Sequence, residues 1–292
     1  MKGAAWTVVL LVVAGAVALE AQRPVFRAEA AGISITVSVR SGGKAVAGLT
    51  AKDFTITDNG ATQKVSSVSV ESLPIDLTLL LDLSGSVNGL RLERLKYSVV
   101  ETAKLLRPVD RVRLIGMQHE LRQVFGYQAG GTRPPVEQLT AFGGTSLYDG
   151  LAAAMMRAGE PERRQLIVAA TDGDDTLSIL PETSVKEIAG YADAVVHVII
   201  PVLGGRSPKT ISTPAATTLN DVTQRTGGQL FWIDPGAPVS DAFAQALEEF
   251  RTSYVLRYMP DGALTPGWHE VNVAVPSGQY DVRARKGYSI RK

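Results

Sequence analysis

Three short segments of this sequence carry residue types that can hold a metal ion. They are Asp82-Leu83-Ser84-Gly85-Ser86, Gly143-Gly144-Thr145-Ser146 and Thr171-Asp172-Gly173-Asp174-Asp175. Together they offer carboxylates and hydroxyls, and none of them contains a histidine or a cysteine. Such a hard, oxygen-only set of donors suits Mg²⁺, Mn²⁺ or Ca²⁺.

The spacing within the segments is suited to one ion. Ser84 and Ser86 stand two residues apart on a tight turn that contains Gly85, so both hydroxyls can point at the same ion. Asp82 and Asp172 would balance its charge, directly or through water. Because so few of these ligands are charged, we expect one coordination position to stay open.

Buried strands are predicted just before two of the segments. Ile75 to Leu83 is mostly apolar, as in a strand buried on both faces of a parallel sheet, and Gln165 to Ala170 is a second such run. Leu92, Leu95 and Val99 recur at helical spacing between them. Alternating strands and helices predict a doubly wound α/β domain with a mostly parallel, Rossmann-like sheet. Ligands of such sheets bind beyond the carboxyl ends of the strands, so all three segments are expected on one rim.

Each segment alone also has an ordinary interpretation. Ser84 or Ser86 could simply cap the next helix, and the Gly-Gly-Thr-Ser segment could be a turn followed by a cap. Asp172-Gly173 after a strand could be an ordinary turn. Three such signals in order, each where the rim is expected, favour the metal site.

Other polar residues are weaker candidates. Asp149 is interpreted as a favourable charge in the first turn of its helix, and Asp174 and Asp175 as a solvated acidic turn. The three histidines do not have the spacing of a zinc site. They are His119, His197 and His269.

The motif residues resemble a known family. Asp82-x-Ser84-x-Ser86, Thr145 and Asp172 are similar to the metal-ion-dependent adhesion site of von Willebrand factor A (VWA) domains, and the resemblance covers residues 74–250. It implies Mg²⁺ or Mn²⁺ at the rim, with coordination often completed by a carboxylate of a partner protein. The layout of the whole chain also resembles a group of exported bacterial proteins related to these domains.

The pattern of apolar and polar residues at the two ends of the chain differs from the pattern in its middle. Ile33, Ile35, Val37 and Val39 alternate with polar residues, and residues 271–275 do the same. Period two is typical of half-buried strands, and an isolated hairpin is only marginally stable. We therefore expect residues 22–73 and 251–292 to form one discontinuous β-sandwich into which the α/β domain is inserted.

The N-terminus resembles a secretory signal over residues 1–21. Lys2 supplies a positive charge, and the uncharged run from Ala4 to Leu19 is shorter than the roughly 20 residues of a membrane-spanning helix. An uncleaved membrane anchor is the alternative. We expect an exported protein, whether periplasmic, at the cell surface or secreted, without a membrane span after cleavage.

Composition narrows the classes of function. The chain has 30 Lys+Arg against 29 Asp+Glu, so its overall charge gives no indication of nucleic-acid binding. The leading hypothesis is a metal-dependent adhesion or protein-interaction module, not an enzyme, that binds a partner carboxylate. A metal-dependent hydrolase and a structural module with a stabilising metal remain alternatives, and the oligomeric state is not predicted.

Overall fold

The middle of the chain is organised around one strand, Ile75–Asp82, whose eight residues are all buried. The computed structural model describes residues 32–70, 72–157, 159–160, 162–201, 214–234, 237–260 and 265–291. The predicted signal segment, residues 1–21, lies outside the described residues. Within those ranges no helix is long and apolar enough to span a membrane.

Strands and helices alternate in the middle of the described chain, and strands predominate at both of its ends. The strands are β1 (Ile33–Ser41), β2 (Lys44–Ala45), β3 (Thr55–Asp58), β4 (Ala61–Gln63), β5 (Val65–Ser69), β6 (Ile75–Asp82), β7 (Arg111–Met117), β8 (Leu121–Ala129), β9 (Arg164–Ala170), β10 (Val195–Pro201), β11 (Leu230–Ile233), β12 (Tyr254–Tyr258), β13 (Gly267–Ala274), β14 (Asp281–Ala284) and β15 (Gly287–Ile290). The α-helices are α1 (Leu90–Leu105), α2 (Leu147–Met155), α3 (Glu182–Tyr191), α4 (Pro214–Thr226) and α5 (Val239–Thr252).

The largest sheet in the described part of the chain has the strand order β11-β10-β9-β6-β7-β8. Its pairs are parallel except β7 with β8, which form an antiparallel hairpin at one edge. The central strands are continuous apolar runs because helices cover both of their faces. We call this sheet and helices α1–α5 the α/β body.

Alternate residues of β6 enter different cores. Leu79 and Leu81 pack with residues of α1 and α5, among them Phe243 and Phe250. Leu80 points to the opposite face and packs with residues of α2, α3 and α4. Phe243, Leu247 and Phe250 recur at helical spacing in the sequence, and the structure buries all three on one face of α5.

The register of the sheet brings the polar segments to one rim. Leu81 on β6 pairs with Ala170 on β9, so Asp82 lies beside Thr171 where both strands end. The amide of Gly85 donates to the carbonyl of Gly143 at 2.9 Å, which brings the second polar segment to the same place. The three segments therefore meet at the carboxyl ends of the strands.

Both ends of the chain contribute strands to two smaller sheets. One has the order β14-β1-β12-β5 with β2 beside β1, and the other has the order β15-β13-β3-β4. Ile35 pairs with Leu256 in the first, Ile56 pairs with Val273 in the second, and one shared core contains residues of both. The strands of the two terminal regions are thus paired with each other, and the boundaries at 73/74 and 250/251 stay predictions. A single 3-10 turn, Ala51–Asp53, occurs where no helix was expected.

Ion pairs and hydrogen bonds join the two smaller sheets to the end of the α/β body that lies opposite the rim. Arg283 of β14 donates to Glu249 of α5 at 2.6 Å, and Arg40 of β1 donates to Glu248 at 3.2 Å. The guanidinium of Arg285 donates to carbonyls at the carboxyl end of α3. We call these contacts the junction. They lie at the carboxyl ends of the helices, away from the rim.

Candidate metal site at the rim

Asp82, the last residue of β6, is the most enclosed carboxylate of the rim, with 1% of its surface exposed. Its Oδ1 accepts a hydrogen bond from the Ser84 amide at 2.9 Å, and its Oδ2 accepts one from the Thr171 hydroxyl at 3.1 Å. The Thr145 hydroxyl lies 3.3 Å from Oδ1 and 3.4 Å from Oδ2. All three polar segments therefore contact this one carboxylate or its neighbours.

A chain of hydroxyls continues outward from Asp82. Ser84 Oγ lies 3.0 Å from Ser86 Oγ, and Ser86 donates to Asp172 Oδ2 at 2.8 Å. Ser84 is buried whereas Ser86 is exposed, so the chain leads from the interior to the surface. The structure thus brings together all five residues singled out from the sequence. They are Asp82, Ser84, Ser86, Thr145 and Asp172.

The alternative role of the two serines as helix caps does not match the structure. The residue that caps α1 is Gly89, and no side-chain cap bond is made there. Ser84 precedes a single 3-10 turn, Gly85–Val87, again without a side-chain cap bond. Both hydroxyls are directed to the rim network instead.

Thr145 is held in place by the third polar segment. Its amide donates to Thr176 Oγ1 at 2.8 Å, and its carbonyl accepts from the amides of Thr176 and Leu177 at 3.0 Å each. A Cβ at Gly144 would lie 2.6 Å from Thr176 Oγ1, so this close approach requires glycine. The glycine before Thr145 therefore serves the contact between the two loops.

The interpretation of Asp175 as part of a solvated acidic turn is wrong. Its Oδ1 accepts from the amides of Leu147 and Tyr148 at 2.8 and 3.3 Å, and so it caps the amino end of α2 from 28 residues away. Asp149 was expected to act through the helix dipole. Its carboxylate also accepts from the amides of Ile179 and Leu180, both at 2.9 Å. Both carboxylates are therefore occupied by backbone amides.

Thr171 was not predicted as a site residue. Its hydroxyl donates to Asp82 and accepts from the amide of Gly173 at 3.1 Å. The signal was present, because a polar residue between a buried strand and an Asp-Gly turn must lie at the rim. It was overlooked because threonine is also common at strand ends.

The charge of Asp82 is poorly compensated by the protein. Burial raises the pKa of the Asp82 carboxyl above its ordinary value; hydrogen bonds from Ser84 lower it, the nearby Asp172 carboxylate raises it further, and the Thr171 hydroxyl lowers it. The hydroxyls stabilise a negative charge but do not neutralise it. Among the described residues the Asp82 carboxylate therefore has hydroxyl and amide partners but no positively charged one.

The other buried acidic side chains differ from Asp82 in the partners that they contact. In the described part of the chain five acidic side chains are buried; three of them pair with arginine within 4 Å, and a fourth, Asp58, lies 3.0 Å from Nδ1 of His269, which is charged only when it is protonated. These four are Asp58, Asp76, Asp110 and Glu249. Asp82 has no such ion pair among the described residues. Since a buried carboxylate without a counter-charge is costly, a bound cation fits this position.

The donor set restricts which cation could bind. Two carboxylates and several hydroxyls are available, and within the described ranges no group of three or more His, Asp or Glu side chains is placed to hold a metal. The residues fit a hard cation that takes oxygen ligands and retains water. They do not fit a site that relies on nitrogen or sulfur donors.

The three histidines are dispersed. His119 is exposed beside the rim with its ring against Phe142, and His197 is buried in β10. His269 belongs to the smaller sheets, where its Nδ1 lies 3.0 Å from Asp58 Oδ1. The same carboxylate accepts from the hydroxyls of Tyr258 and Tyr288 at 2.8 and 2.7 Å.

Comparison with known proteins identifies the fold. A von Willebrand factor type A structure from Catenulispora acidiphila superposes with a TM-score of 0.50 and 11% identity, over 91% of this chain and 76% of that one. The PilB minor pilin of Streptococcus sanguinis gives a TM-score of 0.48 at 14% identity, over 62% of each chain. The chain therefore resembles VWA proteins and has their fold.

Sequence comparison is less extensive. An uncharacterized protein of Synechocystis sp. is 32% identical over 109 residues, which is 35% of this chain and 26% of that relative. The chain thus matches about a quarter of the length of this curated relative. No family model matches the sequence.

Proposed function

We propose that this chain is an exported protein-interaction module that holds a divalent cation at the rim and, through it, binds a carboxylate of a protein partner. The single observation that carries the proposal is the state of Asp82: a carboxylate with 1% exposure, lined by hydroxyls, with no cationic partner among the described residues. A divalent ion would supply the missing charge.

Asp82, Ser84, Ser86, Thr145 and Asp172 would hold the ion. Mg²⁺ is the preferred candidate because it is bound through one or two carboxylates and keeps several waters, whereas Ca²⁺ takes six to eight oxygen ligands. Mn²⁺ is compatible with the same donors. When bound, the ion would present a positive centre at the surface end of the hydroxyl chain.

A carboxylate partner follows from the same chemistry. Asp82 and Asp172 together carry two negative charges, so a divalent ion leaves the site formally neutral and does not repel an acidic ligand. An exchangeable water on the ion could give way to a carboxylate oxygen, which is a hard donor of the same class.

The arrangement of the domains would present the metal site to a partner protein. We infer that residues 74–250 form a doubly wound α/β domain inserted in a discontinuous β-sandwich made of residues 22–73 and 251–292. Support comes from the pairing of β1 with β12 and of β3 with β13. The junction then holds the domain by the end opposite the rim, which leaves the rim available to a partner.

We infer that the chain is not an enzyme. Among the described rim residues, the carboxylates of Asp149 and Asp175 accept from backbone amides, and the ring of His119 packs on Phe142. A general base needs a positioned group within hydrogen-bond reach of the proton that it takes. The inference of export rests on the pattern of residues 1–21.

Calorimetric titration of the full mature chain with Mg²⁺ tests the proposal. Asp82→Asn and Asp172→Asn should each weaken binding by more than about 100-fold, because even the residues that merely orient metal ligands are worth about 10–100-fold. Asp174→Asn is the matched control, since it removes the same charge from the same loop but not a proposed ligand. Undiminished binding in Asp82→Asn would mean that the ion binds elsewhere.

The alternatives predict different results. Turnover of ester or phosphate substrates that Asp82→Asn abolishes would indicate a hydrolase. Stabilisation by Mg²⁺ with no carboxylate ligand would indicate a structural metal.

A further inference from the structure

Three large apolar side chains in the loops next to the proposed metal site remain exposed. Phe142 and Leu177 each have 46% of their surface exposed, and Ile179 has 91%. We call these three residues the apolar collar. Isolated exposed apolar residues are ordinary, but several around one polar centre are typical of interaction sites.

Two of the collar residues are connected directly to the proposed ligands. The Phe142 amide donates to the Leu83 carbonyl at 2.9 Å, one residue before Ser84. The Leu177 amide donates to the Thr145 carbonyl at 3.0 Å, and a Cβ at Gly144 would lie 2.8 Å from Leu177 Cδ1. Phe142 and Leu177 therefore both lie next to the metal-binding loops.

Ile179 is presented on a turn that is fixed to the protein. The Asp149 carboxylate accepts from the amides of Ile179 and Leu180 at 2.9 Å each. One residue earlier, Ser178 donates to Asp175 at 2.5 Å and accepts from the Tyr148 amide at 2.9 Å. The turn is thus ordered by the amino end of α2 while its largest side chain points to solvent, which is a preorganised contact.

The charge of the rim loops further restricts which ligand could bind at the collar. The rim loops add the exposed carboxylate of Asp174 to Asp82 and Asp172, and together these exceed the charge of one divalent ion. Each further negative charge on a ligand adds repulsion from the exposed Asp174 carboxylate, so a segment with one carboxylate is disfavoured less than a polyanion. The exposed apolar surface in turn favours a ligand with its own apolar groups.

We propose that the collar selects a protein segment in which a single Asp or Glu stands next to a large apolar side chain. This inference rests on the proposed function, because the acidic residue would bind the cation. The carboxylate contacts the ion, and the neighbouring apolar side chain covers Leu177 and Ile179. The collar therefore provides specificity that the metal alone lacks.

Selection from a phage-displayed library of random linear heptapeptides tests the proposal. The full mature chain is immobilised with Mg²⁺, and bound phage are eluted with EDTA. Enriched peptides should carry one acidic residue within two positions of an apolar residue. Ile179→Ser and Leu177→Ser should each weaken binding of the selected peptides about tenfold while the calorimetric Mg²⁺ affinity stays unchanged.

Met156→Ser is the matched control, because Met156 is 71% exposed at the other end of α2. It should leave peptide binding unchanged, and thermal melts of all three variants should match the unmodified chain.

The outcomes separate failure of the collar from failure of the function. Acidic peptides without an apolar preference, bound equally well by Ile179→Ser, would overturn the collar proposal and leave the metal-carboxylate function intact. Absence of any EDTA-eluted peptide would overturn both. Self-association of the chain that Ile179→Ser abolishes would mean that a second copy, and not a partner segment, covers the collar.

Discussion

Asp76 and Asp82 are the same residue type on the same strand, and both are almost completely buried. At the amino end of β6, Asp76 pairs with Arg111 at 2.5 Å and also with Arg163. At the carboxyl end, Asp82 contacts hydroxyls and an amide, with Asp172 nearby. The difference teaches that burial alone does not distinguish the two carboxylates, whereas the presence of an arginine partner does, and the proposed cation at Asp82 rests on that distinction.

The same contrast extends beyond one strand. Asp110 near the amino end of the sheet bonds Arg107 and Arg251, and Glu249 at the junction bonds Arg283. Arginine is suited to such pairs because its planar guanidinium matches a carboxylate. The buried carboxylates at the amino end of the α/β body are therefore paired with arginines of the chain itself, whereas the described residues give Asp82 at the rim only hydroxyl and amide partners.

The largest effect is expected at the amino end of β6. Asp76→Asn leaves Arg111 and Arg163 without their carboxylate and should lower the free energy of unfolding by about 3 kcal/mol, as for other buried pairs that lose one partner. Urea denaturation of the full chain at neutral pH measures this. An unchanged midpoint would remove the contrast between the two ends of β6.

Metal binding should have the next largest effect, at the rim. If the ion binds only the folded chain, Mg²⁺ at about 100 times its dissociation constant should add about 2.7 kcal/mol of stability. Thermal melts with Mg²⁺ and with EDTA measure the difference. Asp82→Asn should eliminate it and Asp174→Asn should retain it; equal shifts in both variants would indicate nonspecific ion effects.

His197 extends the comparison of buried titratable groups, because burial favours the neutral form of its ring. Burial lowers its pKa from 6.5 to about 3, and the Arg283 charge adds to this; the Gln229 amide donates to Nδ1 of the neutral ring. The unfolded chain therefore binds the proton more tightly, so stability is complete above pH 6.5 and falls as the pH falls towards 3. Between pH 7 and pH 5 the loss should be about 2 kcal/mol.

His197→Asn keeps an acceptor for the Gln229 amide and should flatten this part of the acid profile. The measurement is urea denaturation at pH 7 and pH 5 for both proteins. A profile that is equally steep in the variant would assign the acid sensitivity to other groups.

Sequence patterns predicted the features that depend on local order. The apolar run of β6 and the helical spacing of α5 determine which faces are buried, and the position of a loop after a buried strand determines the rim. For that reason the sequence alone predicts that Asp82, Ser86 and Asp172 lie close together.

Contacts between distant residues could not be predicted in the same way. Asp175 caps a helix 28 residues earlier, and Glu249 pairs with Arg283 across 34 residues. Nothing in the local spacing of these residues distinguishes them from solvated charges, since their partners are chosen by tertiary packing. The short strands β4 and β15 carry no strong local pattern, since their pairing with β3 and β13, and not their composition, makes them strands.

The smallest expected effect is also the most direct test of the comparison. In EDTA, Asp82→Asn should raise the free energy of unfolding by roughly 1 kcal/mol, on the scale of one altered polar interaction. The raised pKa of Asp82 means that the folded chain disfavours the carboxylate at neutral pH, and an uncharged amide of the same shape relieves that cost. The sign is thus opposite to that of Asp76→Asn, six residues away on the same strand. If both substitutions destabilise the metal-free protein equally, Asp82 is a structural carboxylate like Asp76, and the argument for a missing cation at the rim does not hold.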